Sequence, residues 1–147
     1  MAQRDEQASV SDSARITNDR QRIDQLWLAI EAAMQDQGYP KASMFAVRLA
    51  LEEAMTNAFR HGLKDLPDDT PITVDYGIDA QRVRIAVEDP GPGFDPTDVP
   101  DPTSEENLTR PGGRGILLIR SYMTRADFKN HGRRLEMVYD RPPEAEN

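Results

Sequence analysis

Apolar residues recur at Ile23, Leu26, Trp27, Ile30 and Met34, the three- and four-residue steps of a helix face. Asn18 or Asp19 can cap that helix, and Gly38 with Pro40 ends it. A second stripe (Met44, Val47, Leu51, Ala54, Ala58) predicts a helix over about 42–61 with Gly62 as its C-cap. The period then drops to two. Ile72 to Ile78 and Val83 to Val87 alternate, and the link Asp79 to Arg82 is short enough for an antiparallel hairpin. Pro90 to Gly113 has no period and is rich in Pro, Gly, Asp and Thr, which in a small domain reads as a functional lid or a disordered insert. Ile116 to Met123 predicts a third helix, and strands near Ala126 to Lys129 and Leu135 to Tyr139 close the pattern. Residues 1–15 read as a flexible tail with a short edge strand near Ala14 to Thr17, residues 16–140 as one domain, and 141–147 as a frayed end. The expected fold is α+β, two layers, with helices on one face of a mostly antiparallel, mixed sheet.

Composition narrows the function. A chain of 147 residues, 37% hydrophobic, suits one domain with a single core. With no cysteine, disulfides, thiolate metal sites and cysteine nucleophiles are excluded, which fits a cytoplasmic location. The N-terminus is polar and no run of about 18 apolar residues occurs, so a soluble protein without a membrane partner is expected. A formal charge of −8 argues against direct nucleic-acid binding. Basic residues nevertheless gather in the C-terminal third (Arg110, Arg114, Arg120, Arg125, Arg133, Arg134), where a local anion site fits.

Three stretches carry candidate chemistry. Glu53, Asn57 and His61 stand four apart on the second helix and share one side of it, away from the core stripe. Alone they also read as a solvated helix face. In "VEDPGPGFDP" a strand delivers Asp89 to its end, followed by Gly91 and Gly93. A carboxylate there can accept from an exocyclic amine while the glycines let backbone approach a flat ligand, although Asp-Pro-Gly is also ordinary turn chemistry. In "RPGGRGILLIR", Gly112, Gly113 and Gly115 precede a helix whose N-terminal N–H groups suit phosphate, with Arg110 and Arg114 adding charge; a flexible helix entry is the plainer alternative. Neither a G-x-x-x-x-G-K-[ST] loop nor a strand-borne G-x-G-x-x-G is present.

In order and spacing, "LEEAMTNAFRHG", "VEDPGPGFDP" and "GGRGILLIRSYM" resemble the N, G1 and G2 boxes of the GHKL superfamily, which has the Bergerat ATP-binding fold. The chain is identified as a member on the three together, and its first box most resembles the bacterial anti-sigma-factor serine kinases. The resemblance implies ATP and Mg²⁺ as cofactors, Asn57 as the Mg²⁺ ligand and Glu53 as general base toward a serine hydroxyl. It implies that Asp89 bonds the adenine amino group, that Gly91 and Gly93 shape the nucleotide pocket, and that Gly113 and Gly115 hold the phosphates under a lid of about 94–112. His61, Arg110 and Arg114 join the candidate nucleotide contacts. Implied partners are a sigma factor, a STAS-domain antagonist and a second copy of the chain in a homodimer. Two features depart from the pattern: Arg133 stands where a threonine normally follows Gly132, and the lid is rich in proline and acid. The leading expectation is therefore a serine kinase of a partner-switching system, and the alternative is a nucleotide-binding module that acts by docking without phosphotransfer.

Overall fold

A computed structural model of the chain describes residues 9–63, 65–92 and 113–143. Gly93, Arg110 and the expected lid lie outside the described residues.

Helix α1, Arg20–Asp36, begins where Asp19 accepts a hydrogen bond from the Gln21 N–H at 2.9 Å. It buries Ile23, Leu26, Trp27, Ile30 and Met34, the residues its periodicity marked. Gly38, left-handed at φ +76°, turns the chain out of it. Helix α2, Lys41–Asn57, buries Met44, Val47, Leu51 and Ala54 among others, then passes without a break into a single π-helical turn, Ala58–Gly62. Gly62 is therefore inside the helical path and not a left-handed C-cap, since Gly38 and Gly132 are the glycines with positive φ among the described residues. Helix α3 spans Gly113–Tyr122, three residues earlier than expected, so that Gly113 and Gly115 form its first turn instead of preceding it.

The strands β1 (Val10–Ile16), β2 (Ile72–Ile78), β3 (Arg82–Glu88), β4 (Arg125–Lys129) and β5 (Arg134–Asp140) form one sheet in the order β1-β2-β3-β5-β4. Every pairing among them is antiparallel, so the mixed sheet that was expected is purely antiparallel among the described residues. β1 pairs with β2 along its full length, from Val10↔Ile78 to Ile16↔Ile72. It thus takes in residues expected to lie in a flexible tail.

Alternation decides which face is covered. Ile72, Val74, Val83, Ile85, Val87, Leu135 and Met137 are buried beneath the helices. α1 lies over β1 and β2, α2 over β3, and α3 against both α2 and β4. Each fully buried aliphatic side chain contributes roughly 1.5–3 kcal/mol, so the core holds the fold independently of any site at its margin. The opposite face is polar. There Arg134 reaches Asp75 at 2.7 Å, Glu88 at 3.1 Å and Glu136 at 2.9 Å, and Ser13 donates to Asp75 at 2.5 Å. Burial works against the Arg134 charge, but hydrogen bonds to the three carboxylates outweigh it and raise its pKa.

Arg141, placed by the sequence in a frayed end, is instead tied down. Its N–H donates to the Gln81 carbonyl at 2.8 Å, and its guanidinium donates to the carbonyls of Gln37 (2.8 Å), Gly38 (2.8 Å) and Ala80 (3.2 Å). No helix among the described residues is long and apolar enough to cross a membrane.

Candidate functional site

The end of α2, the end of β3 and the start of α3 converge at one edge of the molecule. Asn57 is the last α2 residue and half-buried, and Gly115 of α3 faces it. A Cβ built on Gly115 would stand 2.7 Å from Asn57 Nδ2 and 3.2 Å from Oδ1. Glycine here lets the first turn of α3 close over the amide without displacing it.

Asp89 is the first residue past β3. Its N–H continues the ladder by donating to the Arg133 carbonyl at 2.9 Å, and its Oδ1 accepts the Gly91 N–H at 2.9 Å, an Asx turn that folds the Asp-Pro-Gly segment back. Above it, the π turn brings Gly62 so near that an added Cβ would overlap the Asp89 carboxyl. A Cβ on Gly91 would overlap the Gly62 carbonyl oxygen. Burial pushes the Asp89 carboxyl above its usual range, the Gly91 N–H and the Arg133 charge pull it back, and Glu88 adds to the rise. Such a carboxyl has lost much of its water, and a ligand N–H would replace it.

Glu53, one helical turn before Asn57, is half-buried on the wall of an open cleft of about 360 Å³ between the start of α1 and the end of α2. Arg20, Glu52, Thr56, Phe59 and Arg60 line the same cleft. Arg20, exposed at the cleft rim, is paired with Asp24 at 2.6 Å and Glu52 at 3.1 Å. His61 is exposed in the π turn beside Gly62. Gly113 and Arg114 stand in the first turn of α3, where N–H groups have no partner within the helix.

Thus Asn57 meets Gly115, and Asp89 meets Gly91. Gly62 and Arg133 belong to the same assembly, although the sequence pattern marks the first as a cap and the second only as a departure from the superfamily's usual threonine. Gly62 carries a signal, a glycine at the end of the Asn57 helix, that fits two roles equally. Among the described residues no cluster of three or more His, Cys, Asp or Glu forms a metal cage. A cation here would rest on the Asn57 amide oxygen and take its other ligands from water and from the molecule it accompanies, which is how Mg²⁺ binds with nucleotides. The glycine cradle around that amide fits such a group.

An antiparallel sheet covered on one face by helices, with an Asn-bearing helix, a strand-end aspartate and a glycine-led helix converging at its margin, defines a histidine kinase-like ATPase domain. The sequence profile of that family matches residues 16–139, and the chain belongs to it. Its curated relatives include the serine-protein kinase RsbW of Listeria monocytogenes serotype 4a (strain HCC23), 29% identical over an alignment of 105 residues that covers 65% of this chain and 64% of that protein. RsbW of Bacillus subtilis (strain 168) is 25% identical over 116 residues, 71% of this chain and 68% of that protein. RsbW of Staphylococcus epidermidis is 30% identical over 98 residues, 62% of each. The chain thus spans about 64% of the length of the Listeria relatives it matches.

Proposed function

We propose that this domain binds Mg-ATP and transfers the γ-phosphoryl group to a serine hydroxyl of a protein partner. The partner would be a STAS-type antagonist that competes with a sigma factor for the chain. The observation that carries this reading is the convergence of Asn57 under Gly115 with Asp89 between Gly62 and Gly91, one helical turn from Glu53. Relatives named serine-protein kinases support serine as the acceptor, and the wording "LEEAMTNAFRHG", which resembles the anti-sigma-factor kinases, supports the pathway.

In this reading Asp89 accepts from the adenine amino group, and Gly62 and Gly91 let bare backbone lie beside the base. The N–H groups at Gly113 and Gly115 would bind the phosphates, with the positive charge of Arg114 between them in sequence. The Asn57 amide oxygen would hold Mg²⁺, which when bound neutralises charge on the β- and γ-phosphates. The serine oxygen forms a bond to the γ-phosphorus, the bond from that phosphorus to the bridging oxygen breaks, ADP leaves, and Glu53 takes the serine proton.

The test is incubation of the purified chain with Mg-ATP and a candidate STAS-domain protein, with phosphoserine read by mass spectrometry. Glu53→Ala is expected to slow transfer at least ~100-fold while Mg-ATP affinity is kept. Equal rates in the two proteins would remove Glu53 from its role. One observation favours a second reading, docking without transfer: Asn57 is not part of the cleft wall that carries Glu53. Tight Mg-ATP binding with no transfer to any partner would select it, and absence of nucleotide binding would overturn both.

A further inference from the structure

Arg133 and Arg134 are neighbours in sequence and leave the β4–β5 turn toward opposite sides of the sheet. Arg134 turns outward, where three carboxylates meet it. Its cross-strand partner is Glu88. One position beyond this pair, Asp89 and Arg133 stand opposite each other, joined by the 2.9 Å hydrogen bond from the Asp89 N–H to the Arg133 carbonyl. By alternation both side chains belong to the side covered by the helices, where Val87 and Leu135 are buried. Opposed side chains in such a pair begin about 5 Å apart.

The connection that sets this geometry is unusual. Asn130, His131 and Gly132 are successively left-handed, with φ of 52°, 57° and 80°. Two of the three are not glycine, and each such residue in this region carries a conformational cost. What the turn delivers is a guanidinium whose Nε is buried and has no hydrogen-bond partner. No salt bridge joins it to Asp89 among the described residues, although its charge acts on that carboxyl. A buried N–H without an acceptor is costly to leave unpaired. Its sibling Arg134, one residue on, has three carboxylates for its guanidinium, whereas the Arg133 Nε has no acceptor within the fold.

We propose that Arg133 is a base-reading residue, placed so that its N–H and the Asp89 carboxylate present a donor and an acceptor side by side to a purine edge. This rests on the nucleotide reading above and deepens it. Adenine matches the pair, since its exocyclic amine is a donor and a ring nitrogen on either flank, N1 or N7, is an acceptor. Asp89 takes the amine and Arg133 supplies the ring nitrogen with its hydrogen bond. An oxo group in place of the amine would set two acceptors against each other at Asp89.

Calorimetric titration of the full chain with Mg-ATP, Mg-1-deaza-ATP and Mg-7-deaza-ATP tests this. Each analogue lacks one of the two ring acceptors, so one of them is expected to bind the wild-type chain roughly tenfold or more weakly than ATP, the effect of one hydrogen bond to a charged donor. Arg133→Ala, which removes every side-chain donor, is expected to bind ATP and that analogue alike. The ratio of two affinities on one protein is insensitive to the fraction correctly folded, so a purely structural effect of the substitution leaves it unchanged. If both analogues bind the wild-type chain as tightly as ATP, or if Arg133→Ala still discriminates, the proposal is overturned while the nucleotide reading stands. A wild-type chain that binds no ATP overturns both.

Discussion

Asp89 is held where its charge works against the fold. Its native pKa lies above the ordinary 3.8 because burial outweighs the help of the Gly91 N–H and the Arg133 charge. Below its ordinary pKa the group is protonated in both states and costs nothing. As pH rises through the raised native value the unfolded chain releases the proton more readily, so stability is lost. Asp89→Asn keeps the shape, and its amide oxygen can still accept from Gly91. It is expected to weaken Mg-ATP binding roughly tenfold or more, while the urea midpoint at neutral pH stays level or rises. Any advantage of the variant should shrink as pH falls toward 3.8. Loss of stability at neutral pH with unchanged affinity would make Asp89 a plain turn residue. The carboxyl and its glycines were legible in "VEDPGPGFDP" as chemistry, but the choice between turn and site was not: the Asx turn to Gly91 is present and fixes the carboxyl in the position from which the proposed role follows.

At the scale of elements, α3 sits on the end of α2 through one missing methyl group. Gly115→Ala would place a carbon 2.7 Å from Asn57 Nδ2, the far end of a side chain that can swing aside. Alanine also favours the helix over glycine by up to about 1 kcal/mol. The expected result is a melting temperature equal to or above that of the wild-type chain and a lost melting-temperature increase on adding Mg-ATP, followed by thermal denaturation. An undiminished increase would show that the Asn57 amide is not needed. Helices α1 and α2 were legible because their buried stripes repeat at 3.6 residues, and β2 and β3 because they alternate. β1 was legible only at its inner end, since Ile16 is its one buried residue and the rest of the strand is an exposed or half-exposed edge. The start of α3 was obscured by glycines, which mark a helix boundary in most sequences but here serve a contact with a residue far away in the chain.

Across the whole molecule, stability and site lie at opposite ends of the sheet. β3 begins beside the Arg141 clamp and ends one residue before Asp89. Arg141 gathers the end of α1, the β2–β3 turn and the C-terminus, with its guanidinium 4.7 Å over the Tyr39 ring. Tyr39 itself donates to the Asp79 carbonyl at 2.8 Å, and its pKa is pushed up to about 12, first by burial and then by Asp79. Arg141→Ala is expected to lower stability by about 1–3 kcal/mol in urea unfolding with Mg-ATP affinity unchanged; a large loss of affinity would show that the two ends are coupled. Nothing in "RPPEAEN" announced the clamp, because its partners are carbonyl oxygens, which every residue possesses. The order and spacing of the three boxes were legible, whereas the contacts among them depend on how the sheet brings distant segments together.

The π turn at Ala58–Gly62 has one further consequence. It holds one residue more than a regular helix would spend over the same distance. A single-residue deletion at 58–61 can be absorbed by letting the turn revert to regular α-helix over the same distance, whereas a side chain at Gly62 cannot, because its Cβ would overlap the Asp89 carboxyl. In descendants of this gene the stretch should therefore tolerate a change of length at 58–61 more readily than any side chain at Gly62.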